Sequence, residues 1–174
     1  VYVPVVETLY VGSGNGAFKA IKGQHFQNLA DLLSKLPDFG NFQSLKITGN
    51  PSGELRVVAS KSHCNDETKA FIADLEGKYG TASLVSKGSS LKLCMVAEGS
   101  ADIYPRIAPT MEWDTAAADA VVRAAGGKVF EYDEKVAASD YACSADSLKE
   151  LPYNKENLLN PYFVVSGLRE LISN

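Results

Sequence analysis

Four residues within one stretch could do chemistry together. Ser89, Lys92, Arg106 and Asp114 fall around two predicted helix starts, one near Ser89 and one at Asp114. The first amides of a helix lack intrahelical partners, and the dipole is positive at that end, so anions settle there. Two nearby cations would add charge-assisted hydrogen bonds, which are shorter and stronger than neutral ones. A carboxylate supplies the oxygen that a hard divalent cation requires. Together these residue types suit a phosphorylated ligand and the metal ion that accompanies it.

Each residue also has a plainer reading. Asp114, in Trp113-Asp114-Thr115-Ala116-Ala117, is placed to be an N-cap that satisfies free amides. Ser89 can cap the helix that begins there in the same way. Lys92 falls in a first turn, where the dipole disfavours a cation; a solvated surface lysine is the ordinary alternative. Arg106 follows Tyr104-Pro105 at a predicted strand end, and open α/β sheets bind ligands beyond such ends. His63 follows another strand end in Ser60-Lys61-Ser62-His63, whereas His25 has no motif around it. Glu98, Asp102 and Glu112 have no diagnostic spacing to Asp114 and receive no role. Trp113 and the Ala116, Ala117, Ala118 run are expected to pack, and Cys94 to be a buried, inert thiol.

The elements that must position these residues follow from periodicity. Residues 1–22 read as antiparallel strands, with a strand already under way over 1–5. A turn rich in glycine, 12–16, joins runs at 8–11 and 17–21; no helix signal follows it, so it reads as a hairpin rather than a phosphate cradle. Residues 28–36 have helical spacing up to Pro37, and 37–54 read as an irregular connection. Strands are then expected at 55–60, 82–85, 101–104, 128–132 and 162–165, and helices at 66–78, 89–97 and 114–125. The stretch 139–160 reads as loop. This alternation predicts an α/β layer with helices on both faces of a sheet.

With 174 residues, 45% hydrophobic and 22% charged, the chain can bury a substantial core. A net charge of −4 argues against a surface that coats a nucleic-acid polymer, yet local cations suffice for a small phosphorylated ligand. No run approaches the length of a membrane span, and nothing at the start resembles a signal peptide. Cys64, Cys94 and Cys143 are odd in number and lack metal-site spacing, which favours free thiols in the reducing cytoplasm.

The Gly88-Ser89-Ser90-Leu91-Lys92 and Trp113-Asp114-Thr115-Ala116-Ala117 motifs closely resemble the C-terminal half of the magnesium-dependent phosphatases of the inositol monophosphatase superfamily. Within it the chain looks most like the 3'(2'),5'-bisphosphate nucleotidases of sulfur assimilation. Asn154-Lys155 through Asn160-Pro161 and Phe163 resembles a stretch near the C-terminus of those enzymes. The resemblance runs over most of the chain and is weak over 24–54, which is not placed on the family pattern. The resemblance implies a layered α-β-α-β-α sandwich of the sugar-phosphatase type with an incomplete first layer. Residues 1–54 would be the remnant of an antiparallel-sheet part, and 55–174 the α/β substrate-binding part. It implies a phosphomonoesterase acting on the 3'-phosphate of adenosine 3',5'-bisphosphate, with Asp114 as a Mg²⁺ ligand. Ser89, Lys92 and Arg106 would hold the nucleotide and its other phosphate, and His63 would contact the nucleotide. The family's Asp-Pro-Ile/Leu-Asp-Gly-Thr metal signature is absent. The remaining metal ligands would therefore come from an N-terminal part or a partner chain, and this chain alone would be inactive. Two alternatives stay open: an inositol monophosphatase, and a non-catalytic truncated or split-chain module.

Overall fold

A computed structural model of the protein describes residues 1–35, 39–47, 54–59, 64–86, 88–143 and 146–168. The first sheet is antiparallel, with its strands in sequence order: β1 (Tyr2–Val3), β2 (Thr8–Ser13), β3 (Gly16–Ile21) and β4 (Gln43–Leu45). The opening strand is shorter than expected. Pro4 begins a 3-10 turn, Pro4–Val6, where the missing N–H of proline is tolerated. Ser13 pairs with Gly16, so the glycine cluster is a hairpin with a two-residue turn at Gly14 and Asn15. The connection expected to be irregular contains β4, which pairs with β3 from Ala17↔Leu45 to Lys19↔Gln43. Gln-Ser-Leu carries no alternation of its own; its neighbour's open edge makes it a strand.

The second sheet has the order β6-β5-β7-β9-β8, built from β5 (Leu55–Val58), β6 (Ala82–Val85), β7 (Ile103–Arg106), β8 (Lys128–Glu131) and β9 (Phe163–Ser166). β5 runs parallel to β6 and β7, while β9 is antiparallel to both of its neighbours. The helices are α1 (Leu29–Lys35), α2 (Asp66–Tyr79), α3 (Leu91–Ala97), α4 (Glu112–Ala124) and α5 (Ala138–Cys143). Asn65 caps α2 by accepting the Thr68 amide at 2.9 Å, and Gly80 ends it at φ 84°. α5 corrects the reading of its region as loop. The Ala138 amide bonds Asp74 Oδ2 at 2.7 Å and Tyr141 is buried against Phe71, so contacts distant in sequence make this helix.

Burial sorts these elements into layers. α3 and α4 lie between the sheets, where Cys94, Val96, Val121 and Val122 meet Tyr10 and Ala17 of the first sheet. On their other side they meet Tyr104, Val129, Phe163 and Val165 of the second. α2 and α5 cover the far face of the second sheet over Val57, Ile103 and Val164. α1 covers the far face of the first over Ala20, Phe26 and Phe42. The result is the α-β-α-β-α order that the resemblance implied. The layer over the first sheet is thin: Leu29 is 69% exposed. A groove of about 620 Å³, lined in part by Tyr2, Leu9, Phe26 and Leu33, stays open beside it. Among the described residues no helix is long and apolar enough to cross a membrane.

One contact sets how closely α4 approaches the first sheet. A Cβ at Gly12 would lie 2.5 Å from the Ala120 carbonyl oxygen and 2.7 Å from Val121 Cα. Both are backbone atoms that no rotamer change can move. Gly12→Ala is therefore expected to destabilise the protein by about 1–3 kcal/mol, read as a lowered urea midpoint at unchanged m-value. An unaltered midpoint would mean that β2 and α4 separate without cost.

Candidate functional site

Lys92 is the second residue of α3 and is only 6% exposed, so the surface-lysine reading is overturned. Its Nζ lies 5.5 Å from the centre of the Tyr104 ring, a cation–π contact. It has no ion-pair or hydrogen-bond partner among the described residues. Burial first, and the Arg106 charge second, push its ammonium below the ordinary lysine range. Tyr104 and Arg106 are two apart on β7, hence on the same face, which looks toward α3 and α4. Tyr104 is buried against Phe163 at 6.1 Å; burial raises its hydroxyl pKa, and Arg106 opposes that rise. Arg106 Nη2 bonds the Pro109 carbonyl at 3.1 Å, whereas its Nε is buried without a partner among the described residues. Lys92 thus lies over the Tyr104 ring and Arg106 acts on its hydroxyl, and neither cation is neutralised by a carboxylate among the described residues.

Asp114 is exposed and sits at the third residue of α4, not at its cap. The helix begins two residues earlier than expected. Met111 holds the N-cap position, and Asp114 Oδ2 reaches back to accept the Met111 amide at 2.9 Å. This is the reciprocal half of a capping box, formed although methionine is a poor cap. Oδ1 has no hydrogen-bond partner among the described residues. The turn that carries Met111 is the one Arg106 grips at Pro109, which links Asp114 to the cations.

Ser89 is exposed in a turn at φ 49°, two residues before α3, so it is not the helix cap. Ser90 occupies that position without a side-chain cap bond. His63 lies outside the described residues. His25 is structural: its Nδ1 accepts the Ile21 amide at 3.0 Å. Cys94 is buried, and burial pushes its thiol up to about 12, which removes it as a nucleophile. Trp113 is 66% exposed, which corrects the packing expectation. The buried stripe of α4 runs through Thr115, Ala118 and Val122, while Trp113, Ala116 and Ala117 share the opposite side.

The neighbouring carboxylates are committed elsewhere. Glu98 accepts Tyr10 Oη at 2.9 Å and Lys19 Nζ at 2.6 Å. Asp102, buried, takes Arg56 Nε at 3.1 Å, Nη2 at 2.6 Å and the Arg56 amide at 2.7 Å. Glu112 accepts the amides of Asn154 and Lys155 and pairs with the Lys155 ammonium. Asp119 pairs with Arg123 one turn on. Asp114 is left as the carboxylate near the cations with an open oxygen. Among the described residues no three His, Cys, Asp or Glu side chains are placed to hold a metal ion. Asp114 can therefore offer one hard ligand, and the described residues do not complete a site. Sequence reasoning passed over Tyr104 as a partner of the cations. The i, i+2 spacing of Tyr104 and Arg106 in a strand was the available signal.

Inositol monophosphatase family sequences match residues 1–162, and the chain belongs to that family. It is 44% identical over 166 residues to the 3'(2'),5'-bisphosphate nucleotidase CysQ of Shigella flexneri, covering 95% of this chain and 53% of that protein. The crystal structure of CysQ from Bacteroides thetaiotaomicron, a bacterial member of the same family, superposes with a TM-score of 0.72 at 41% identity. That match covers 97% of this chain and 57% of the other. Staphylococcal IMPase-II, at 16% identity and a TM-score of 0.60, shares the fold over 97% of this chain and 53% of its own. The chain spans about half the length of the curated relatives it matches.

Proposed function

We propose that the protein carrying this chain is a Mg²⁺-dependent phosphomonoesterase that removes the 3'-phosphate of adenosine 3',5'-bisphosphate, giving AMP and phosphate. The observation that carries this reading is Lys92 over Tyr104 with the Arg106 charge beside it, a pair that lacks a counter-anion among the described residues. A buried cation without a partner is costly, and a phosphate entering beside it removes that cost. A bisphosphate needs such a site besides the one where chemistry occurs. Lys92 and Arg106 hold the retained phosphate, Ser89 donates to it from the exposed turn, and His63 contacts the nucleotide. Asp114 supplies one carboxylate oxygen to Mg²⁺, and carboxylates from the remainder of the protein supply the others. When bound, the metal polarises the phosphoryl oxygens and lowers the pKa of the attacking water. The similarity to bisphosphate nucleotidases supports this choice of substrate, and a place in sulfur assimilation is what the resemblance to that group implies. The free thiols of Cys64 and Cys94 support a cytoplasmic location. The groove beside α1 supports packing of a further N-terminal part or partner chain there.

The test compares phosphate release from adenosine 3',5'-bisphosphate and from inositol monophosphate, using the full-length protein and the 174-residue chain. The full-length protein should prefer the bisphosphate, and the chain alone should be inactive, since one carboxylate cannot hold the ion. Preference for the inositol ester would overturn the substrate. Turnover by the chain alone would overturn the division of the metal site.

A further inference from the structure

The segment 152–160 resembles part of the family pattern and contributes none of the groups assigned to phosphate or metal. It lies across the start of α4 and is tied there at both of its ends. At one end Glu112 accepts the Asn154 amide at 2.9 Å and the Lys155 amide at 3.2 Å, and it pairs with Lys155 Nζ. At the other end Asn160, 3% exposed, directs Nδ2 at the Met111 carbonyl (2.9 Å), Thr115 Oγ1 (3.1 Å) and Thr110 Oγ1 (3.2 Å). A backbone carbonyl can only accept, so the amide orientation is fixed by chemistry. Asn160 Oδ1 is buried without a partner among the described residues, so Nδ2 carries all of the side chain's bonding. Between the ends, the Glu112 amide bonds the Leu158 carbonyl at 2.9 Å, and the Asn160 amide bonds the Thr110 carbonyl at 2.9 Å. Tyr153 Oη donates to Thr115 Oγ1 at 3.0 Å, which leaves the Thr115 hydroxyl proton for the Glu112 carbonyl.

These bonds converge on residues 110–115, the turn that carries Asp114. Met111 is the shared point: its carbonyl takes Asn160, and its amide takes Asp114 Oδ2. We propose that 152–160 is a strap whose residue Asn160 positions the first turn of α4, and with it Asp114, for the metal ion. This rests on the reading of Asp114 given above. Asn160 and Glu112 act through Met111 and touch neither substrate nor metal, so they are positioning residues. Asn160 holds the turn directly, whereas Lys92 and Arg106 stand on other elements, α3 and β7, and meet the turn only through the bond from Arg106 to the Pro109 carbonyl. Loosening the strap should therefore weaken metal binding selectively.

The experiment uses the full-length enzyme with Asn160→Ala and the milder Glu112→Gln. Three quantities are read: hydrogen exchange of the amides in 110–115, Mg²⁺ affinity by calorimetry, and metal-free affinity for adenosine 3',5'-bisphosphate. For Asn160→Ala, exchange should quicken and Mg²⁺ affinity fall, each by roughly tenfold, the worth of one or two lost hydrogen bonds. Metal-free nucleotide affinity should stay within about twofold. Glu112→Gln should move the same two quantities less, because the Asn160 bonds remain and its single amide oxygen still accepts one of the two amides that Glu112 takes on separate oxygens. Unchanged exchange in 110–115 would overturn the strap. Quickened exchange with unchanged Mg²⁺ affinity would overturn the positioning of Asp114, as would equal losses in metal and nucleotide binding. If the wild-type enzyme bound no Mg²⁺, the proposed function would fail on its own, and the exchange measurement would still decide the strap.

Discussion

Asp114→Asn in the full-length enzyme is expected to lower kcat/KM by several orders of magnitude while the metal-free melting temperature moves by no more than a few degrees. The structure sharpens why the two readouts separate. At the third position of α4, Asp114 closes the capping box by accepting the Met111 amide through Oδ2. Asparagine presents a carbonyl oxygen of the same reach, so the bond and the helix start survive. It removes the negative charge that a hard cation needs from its oxygen ligand. Raising Mg²⁺ should recover part of the lost activity, because the other ligands remain. The measurement is kcat/KM against Mg²⁺ concentration for both proteins, with metal-free melts beside it. Unchanged kinetics would leave Asp114 as a capping residue alone, and the metal reading of Trp113-Asp114 would be lost.

Removing either cation should change substrate preference rather than general activity. Lys92→Met, which keeps an apolar stem in a buried position, and Arg106→Ala should each weaken use of adenosine 3',5'-bisphosphate by roughly ten- to a hundredfold. Use of a mono-phosphorylated sugar should fall far less. Equal losses on both substrates would assign these residues to the fold or to the scissile phosphate. A pH series adds a second check. Lys92 is held below the ordinary lysine pKa of about 10.4 by burial and by Arg106. Its positive charge is therefore lost earlier as pH rises, and wild-type KM for the bisphosphate should climb below that pH. Arg106→Ala removes the repulsion between the two cations, so the same climb should begin at higher pH. A KM profile insensitive to Arg106 would show that the two charges do not meet in the working enzyme.

Part of the candidate site was legible where the local signal is strong. Lysine in a first turn opposes the dipole, and Lys92 proved to be buried with a lowered pKa. The strand spacing of Tyr104 and Arg106 puts them on one face, yet it does not show that the ring meets Lys92, so Tyr104 was missed. Other features were hidden because they depend on contacts made across the fold. The start of α4 was misplaced by two residues because Met111 is not a capping type, and the cap bond runs backward from Asp114. Apolar character does not give direction, so Trp113 was expected inward although the helical stripe of Thr115, Ala118 and Val122 excludes it. β4 exists through the edge of β3, and α5 through Asp74 and Phe71. The bonds of Asn160 span 45–50 residues, so no local window contains them.

The contact at Gly12 has a mechanical meaning for the helix that carries Asp114. β2 and α4 touch backbone to backbone at Ala120 and Val121, with no side chain between them to act as a cushion. Main-chain atoms have no rotamers through which to yield, so this point behaves as a fixed pivot. What remains to α4 is swing about it. Asp114 stands six residues along the helix from Ala120, about 9 Å at 1.5 Å per residue, which is the length of the lever arm. A tilt of a few degrees, negligible at the pivot, becomes a displacement of several tenths of an ångström at the carboxylate. Gly12 therefore fixes the fulcrum, and the bonds at Glu112 and Asn160 damp the free end where the tolerance is smallest.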